Sequence, residues 1–132
     1  MTLPIDRRER VFQLWGYTVG MGRLCLRSTK SDQFTTRIDV VFQNVKAVHL
    51  PTFLQGLVIS DANATETERI IRDTGMLPDN GCKFFSMVGS NFNGFVVASV
   101  ITICEDDGEF FEPSRLWPNA PPLPTKAPGA TG

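Results

Sequence analysis

Histidine occurs once in this chain, at position 49, and that scarcity bounds the chemistry closely. Any mechanism that needs a histidine base or a histidine metal ligand rests on His49 alone. The three cysteines, Cys25, Cys82 and Cys104, form no C-x-x-C pair, and an odd number leaves at least one unpaired. They read as free thiols in a reducing compartment, and they lack the paired spacing of zinc ligands. The formal net charge is −1, so no positive excess exists to hold nucleic acid or an anionic membrane. No apolar run approaches the roughly 18 residues of a membrane-spanning helix. The opening MTLPIDRRER carries charge and no apolar core of a secretory leader. The expectation is a cytoplasmic protein with no metal and no cofactor.

What is present is enough to fold. A chain of 132 residues, 42% hydrophobic and 20% charged, fits one soluble globular domain. At that size roughly two-thirds of the unfolded chain's surface is buried on folding, so no staple is required. Its segments read mostly as strands. VFQLWGYTV (11–19) is β-branched and aromatic, with Phe12, Leu14 and Gly16 on one face and Val11, Trp15, Tyr17 and Val19 on the other. The glycines of VGMG (19–22) reverse the chain into RLCLRS (23–28). In RIDVVFQ (37–43) period two puts Ile38, Val40 and Phe42 together. Asn44 then interrupts, as a bulge or turn that tolerates left-handed backbone, before VKAVHL (45–50) and Pro51. FLQGLVIS (53–60) and CKFFSMV (82–88) are further strands, and GSNFNG (89–94) is a polar turn. FVVASVITIC (95–104), apolar on both faces, reads as one central strand. Asp107-Gly108 is a hairpin signal after which EFF (109–111) returns.

One helix is signalled. Thr65 and Glu68 match a capping box, Ile70 and Ile71 supply an inward side, and Gly75 suits the C-terminal end. The fold expected is mainly β (α+β): an antiparallel sheet, or a partly open barrel or sandwich, of six to seven strands with one short helix over residues 1–117. The segment 118–132, with five prolines in fifteen residues, is expected as a flexible tail, and its PPLPTK fits a P-x-x-P groove ligand.

The search for catalytic motifs returns little. GYTVGMG (16–22) lacks the G-K-[ST] ending of a phosphate loop. EDDGE lacks the alternating ligands of a calcium loop. Glu105, Asp106, Asp107, Glu109 and Glu112 crowd one stretch, where solvated carboxylates stay ionised and serve acid catalysis poorly. As a patch they suit a basic partner surface. Trp15, Tyr17, Arg23, Arg27 and Arg37 can align across neighbouring strands, and Trp, Tyr and Arg dominate binding hot spots. Arginine packed on tryptophan would give the same pattern with no partner at all. The candidate partner-binding residues are Glu105, Asp106, Asp107, Glu109, Trp15, Tyr17 and Arg37.

The order of LWGYTVGMGRLCLRS, IDVVFQNVKAVHLPTFLQGLVI, NGFVVASVITICEDDGEF and EPSRL resembles small bacterial domains grouped with the immunity proteins of polymorphic toxin systems. The resemblance spans residues 11–116. It implies a cytoplasmic antidote that binds one toxin, blocks its active site and needs no chemistry of its own. Immunity proteins against nucleases are often strongly acidic; here any acidic contact must be local, at Glu105 to Glu112. Two other readings compete. In one, Trp15, Tyr17 and phenylalanines line the cavity of a ligand-binding barrel or sandwich. In the other, His49 serves a small hydrolase.

Overall fold

The computed structural model describes residues 2–79, 81–110, 112–114 and 116. The expected tail, 118–132, lies outside the described residues. The strands are β1 (Ile5–Asp6), β2 (Val11–Thr18), β3 (Arg23–Ser28), β4 (Arg37–Gln43), β5 (Ala47–His49), β6 (Phe53–Gln55), β7 (Val58–Asp61), β8 (Lys83–Gly89), β9 (Phe92–Ala98) and β10 (Val100–Asp106). The helix is α1 (Ala64–Thr74). All strand pairs are antiparallel, in two five-stranded sheets ordered β1-β7-β8-β9-β5 and β10-β4-β3-β2-β6. The mainly-β, antiparallel architecture with one short helix is thus present. No helix among the described residues is long and apolar enough to cross a membrane.

The sheets face each other across one core. Leu24, Leu26, Val40 and Phe42 of the second sheet meet Ile59, Phe85, Met87 and Val96 of the first. Phe42 and Phe85 join the layers edge to face, with centroids 5.5 Å apart. The two faces turned away from this core are covered differently. Helix α1 lies on the first sheet, where Ile70 packs with Phe84, Phe95 and Val97. The segment after β10 lies on the second.

Ten strands among the described residues replace the expected six or seven: two apolar runs are each cut in two, and β1 (Ile5–Asp6) forms where no strand was expected. FVVASVITIC is not one central strand. It breaks at Ser99, whose N–H donates to Gln43 O (3.0 Å) and whose hydroxyl accepts from Asn44 Nδ2 (2.7 Å). β9 therefore ends in the first sheet and β10 begins in the second. FLQGLVIS breaks likewise at Gly56, which sits at φ +82° with the Arg8 carbonyl where a side chain would stand. The gaps are short, Ser99 in one run and Gln55-Gly56 in the other, so hydrophobicity alone gave no sign of the corner. The return strand at EFF is also absent: Glu109 and Phe110 belong to no strand.

Three smaller expectations resolve as follows. Asn44 does adopt a left-handed conformation, φ 55°. The helix does carry a capping box and does end at a left-handed Gly75, but the box is Asn63 and Glu66, not Thr65 and Glu68. Glu66 N donates to Asn63 Oδ1 (2.8 Å) and Asn63 N to Glu66 Oε1 (2.9 Å), two residues earlier than expected. Asparagine caps as well as threonine does, so the earlier position adds helical length at no loss. In β2 a bulge between Leu14 and Gly16 shifts the register, so Leu14 pairs with Leu26 but Tyr17 pairs with Leu24. Trp15 and Tyr17, expected on one face, separate.

Candidate binding surface

On the outward face of the second sheet, alternation places Arg27 on β3 beside Asp39 on β4, directly opposite in register. Both are buried. Arg27 donates from Nε to Asp39 Oδ1 (2.7 Å) and from Nη2 to Oδ2 (3.0 Å), a planar fork on a carboxylate. Two residues along β4, Arg37 repeats the fork on Asp106 of β10, with Nε to Oδ1 and Nη2 to Oδ2 both 3.1 Å. Burial works against the Arg37 charge, yet the Asp106 bonds and the nearby Asp39 outweigh it and raise its pKa. The remaining guanidinium donors reach main chain. Arg27 Nη1 donates to Phe110 O (2.8 Å), and Arg37 donates to the carbonyls of Glu109 (2.9 Å), Glu112 (2.8 Å) and Pro113 (3.4 Å).

Two buried arginines thereby hold a strap, described at residues 107–110, 112–114 and 116, across β4 and β3. Gly108 lies against the Arg37 guanidinium so closely that a Cβ would collide with it. Phe110 meets Trp15 edge to face at 5.0 Å, and Leu116 and Trp15 pack on Cys25 and Val41. Beneath them Cys25 is buried, and burial first, then the Asp39 charge, push its thiol pKa up to about 12.

The candidate residues can now be placed. Arg37 is 2% exposed and serves as an inward clamp. Asp106 is its counter-ion and also accepts from Gly108 N (2.9 Å). Glu105 accepts from Thr36 Oγ1 (2.6 Å) and Arg7 Nη2 (2.5 Å); the Thr36 bond chiefly, with Arg7, holds its carboxyl below the ordinary range. Glu109 takes an ion pair from Lys30 (2.8 Å) but stays 74% exposed, and Asp107 is exposed beside it. Trp15 is half-buried, with Arg27 over its ring at 5.1 Å, which is the intramolecular packing weighed against a binding role. Tyr17 stands apart near the end of β2, exposed. So the structure gathers Arg37, Asp106, Asp107, Glu109 and Trp15 around one strap, ties Glu105 to the N-terminal segment, and leaves Tyr17 elsewhere.

Sequence reasoning missed Asp39, the buried partner of Arg27, and Arg10. Arg10 is buried under Phe34 (4.2 Å), donating to Ser28 Oγ (2.9 Å) and Thr36 O (2.7 Å), and burial lowers its pKa. An outward aspartate between two arginines on adjacent strands was the available signal for the first. Nothing local announces the second.

Elsewhere, Val11 and Phe53 stand half-exposed on adjacent strands. Val11 is shared by an open cleft of about 710 Å³, floored by Val58 and Val88, and a smaller one of about 330 Å³ beside Phe34. Between the sheets, where a barrel ligand would sit, Phe12, Phe42, Leu54 and Phe85 fill the space. His49 is exposed on β5 with its ring stacked on Phe95 at 5.4 Å. No group of three or more His, Cys, Asp or Glu among the described residues is arranged to hold a metal. Comparison of the chain with family models, with curated proteins and with solved structures finds no match.

Proposed function

We propose that this chain is a non-catalytic protein-binding module, a cytoplasmic immunity protein that binds and neutralises a cognate toxin through the strap. The observation that carries this reading is the use made of Arg27 and Arg37. Burying a guanidinium costs several kcal/mol of desolvation, which ion pairing offsets only in part. A fold that needed only stability would do as well with apolar side chains there. Here the spare donors of both arginines fix four carbonyls of a surface segment. That segment presents Asp107, Glu109 and the 42%-exposed Phe110 to solvent. Acidic groups around an aromatic ring, held rigid before the encounter, lose less freedom on binding and bind a basic surface accordingly. The net charge of −1 on the whole chain is no obstacle, because the complementarity is local.

The test is co-expression in the native host background. The product of the adjacent gene should be toxic alone, tolerated with this chain, and recovered with it as a stoichiometric complex. Asp107→Lys with Glu109→Lys should lose protection while the purified variant keeps its fold. A neighbouring product whose toxicity is unaffected by the intact chain refutes the antidote reading. Protection that ignores both charge reversals keeps the function and removes the strap as its site.

A further inference from the structure

Arg10 does for one surface segment what Arg27 and Arg37 do for another. It lies beneath the loop between β3 and β4, residues 29–36, and grips both its ends. Nε donates to Ser28 Oγ (2.9 Å), Nη1 to Thr36 Oγ1 (3.2 Å) and Nη2 to Thr36 O (2.7 Å). Ser31 and Phe34 close the loop on itself, each N–H donating to the other's carbonyl (3.0 and 3.3 Å). The Phe34 ring lies on the Arg10 guanidinium at 4.2 Å. Lys30 ties this loop to the strap through Glu109 (2.8 Å). Beside both segments the outward face of the second sheet continues over β2 and β6. Phe53 lies opposite Gln13, and Gln13 opposite Arg27. Two strand spacings, about 10 Å, therefore separate Phe53 from the arginine that carries Phe110. On this surface opens the cleft of about 330 Å³, whose lining includes Glu9, Val11, Gln13, Phe34 and Phe53.

We infer that this cleft is an anchor pocket beside the strap, and that it takes one large apolar side chain from a partner segment whose neighbouring residues are basic. The apolar half follows from the lining. Val11 and Phe53 are each 45% exposed, and an inserted side chain covers both. The volume stands at the small end of ligand pockets, which run roughly 300–1,000 Å³, and so suits a side chain better than a folded element. Gln13 adds an amide that both donates and accepts, to meet the segment's main chain. The basic half follows from charge. Glu9 lines the cleft, Asp32 stands in the loop, and Asp107 and Glu109 stand on the strap, all but Glu9 fully exposed. Against them Arg7 pairs with Glu9 (3.2 Å), Lys30 with Glu109 (2.8 Å), and Arg8 turns to Asp6 (3.1 Å). Arg10 is buried under the loop. Ion pairs this exposed are worth little, so an arriving arginine or lysine replaces them at small cost. Both segments flanking the cleft are pinned from beneath by buried arginines, and a surface already fixed loses less freedom on binding. The inference rests on the strap reading for the partner's identity, while the cleft can be tested without it.

Titration of the nitrogen-labelled full chain with the peptide acetyl-Arg-Leu-Arg-amide should move the amide signals of Val11, Gln13, Gln33 and Phe53. Serine in place of the leucine should weaken binding about tenfold, the measure of one large apolar side chain leaving water. Glutamates in place of the arginines should abolish it. Phe53→Ser removes one apolar wall and Gln13→Arg puts a cation on the floor; each should weaken the peptide about as much. Both positions are exposed, so the melting of each variant should match the parent and separate lost binding from lost fold. The same two variants should lose protection against the adjacent gene's toxic product. A peptide that binds here while that product is no toxin keeps the cleft and removes the antidote reading. A toxin complex indifferent to both variants keeps the antidote reading and overturns the inference. So does a peptide that moves none of these signals, or a serine peptide that binds as well as the leucine one. Through-space contacts from the chain's own residues beyond 116 to Phe53, showing the cleft already filled, overturn it too.

Discussion

Replacing Arg37 by methionine keeps the length of its apolar stem and removes only the guanidinium. Asp106, whose side chain is 4% exposed, then keeps its charge after losing both bonds of the fork, with the Gly108 N–H still donating to it. The carbonyls of Glu109, Glu112 and Pro113 lose the guanidinium at the same time, Glu109 O keeping the Glu112 N–H at 3.2 Å. Breaking a buried ion pair by removing one partner costs about 3–5 kcal/mol. That is a large share of the roughly 5–15 kcal/mol that holds an ordinary domain together. Urea denaturation should show the loss as a lower midpoint at unchanged slope. Pairing Arg37→Met with Asp106→Leu should recover much of it, since no buried charge is then left alone. Hydrogen exchange adds a local readout: the Gly108 and Glu109 amides should exchange faster in the single variant. A loss below about 1 kcal/mol, typical of an exposed ion pair, would mean that Arg37 does not hold the strap.

Cys25 should resist thiol reagents at pH 8 while Cys82 and Cys104 react, because its thiol pKa is pushed up to about 12; mass mapping of the labelled sites checks this, and Arg37→Met should expose it. Glu105 has a folded-state pKa below its ordinary 4.5, so its contribution is complete above that value and is lost as pH falls through the folded value. Glu105→Gln should therefore destabilise at pH 7, and its deficit against the parent should close toward pH 3 in parallel denaturation series. Gly108→Ala should lower stability by about 1–3 kcal/mol, the usual penalty for overpacking, because its methyl meets the Arg37 guanidinium. Calorimetric melting decides it, and an unchanged midpoint would show that the strap can shift outward freely.

Elements with a strong local signal were legible from the sequence. The β2–β3 hairpin, the alternation of β4, the left-handed Asn44 and the Gly75 helix end all follow from a few neighbouring residues. Features decided at a distance were not. Ser99 and Gly56 become corners only because the opposite sheet is there to receive the next strand. The Trp15 bulge displaces Tyr17 by changing a register that alternation assumes is constant. The candidate surface divides in the same way. Its acidic stretch was visible as composition, but its conversion into a strap depends on Arg27 and Arg37, which lie 83 and 72 residues from the carbonyls of Phe110 and Glu109.

The corners at Ser99 and Gly56 bear on how the protein comes into being. The first sheet draws its strands from positions 5–6, 47–49, 58–61 and 83–98, and the second from 11–43, 53–55 and 100–106. Neither sheet is a continuous piece of chain, so neither can assemble before the other is under way. β10, which completes the second sheet, is synthesised after every other described strand. Loop-closure entropy must be met before such distant strands reward it, so folding should be slow for this size and cooperative throughout. No cut yields a fragment that holds either sheet whole without most of the other, and a nascent chain stopped before Val100 leaves β4 as an unguarded edge.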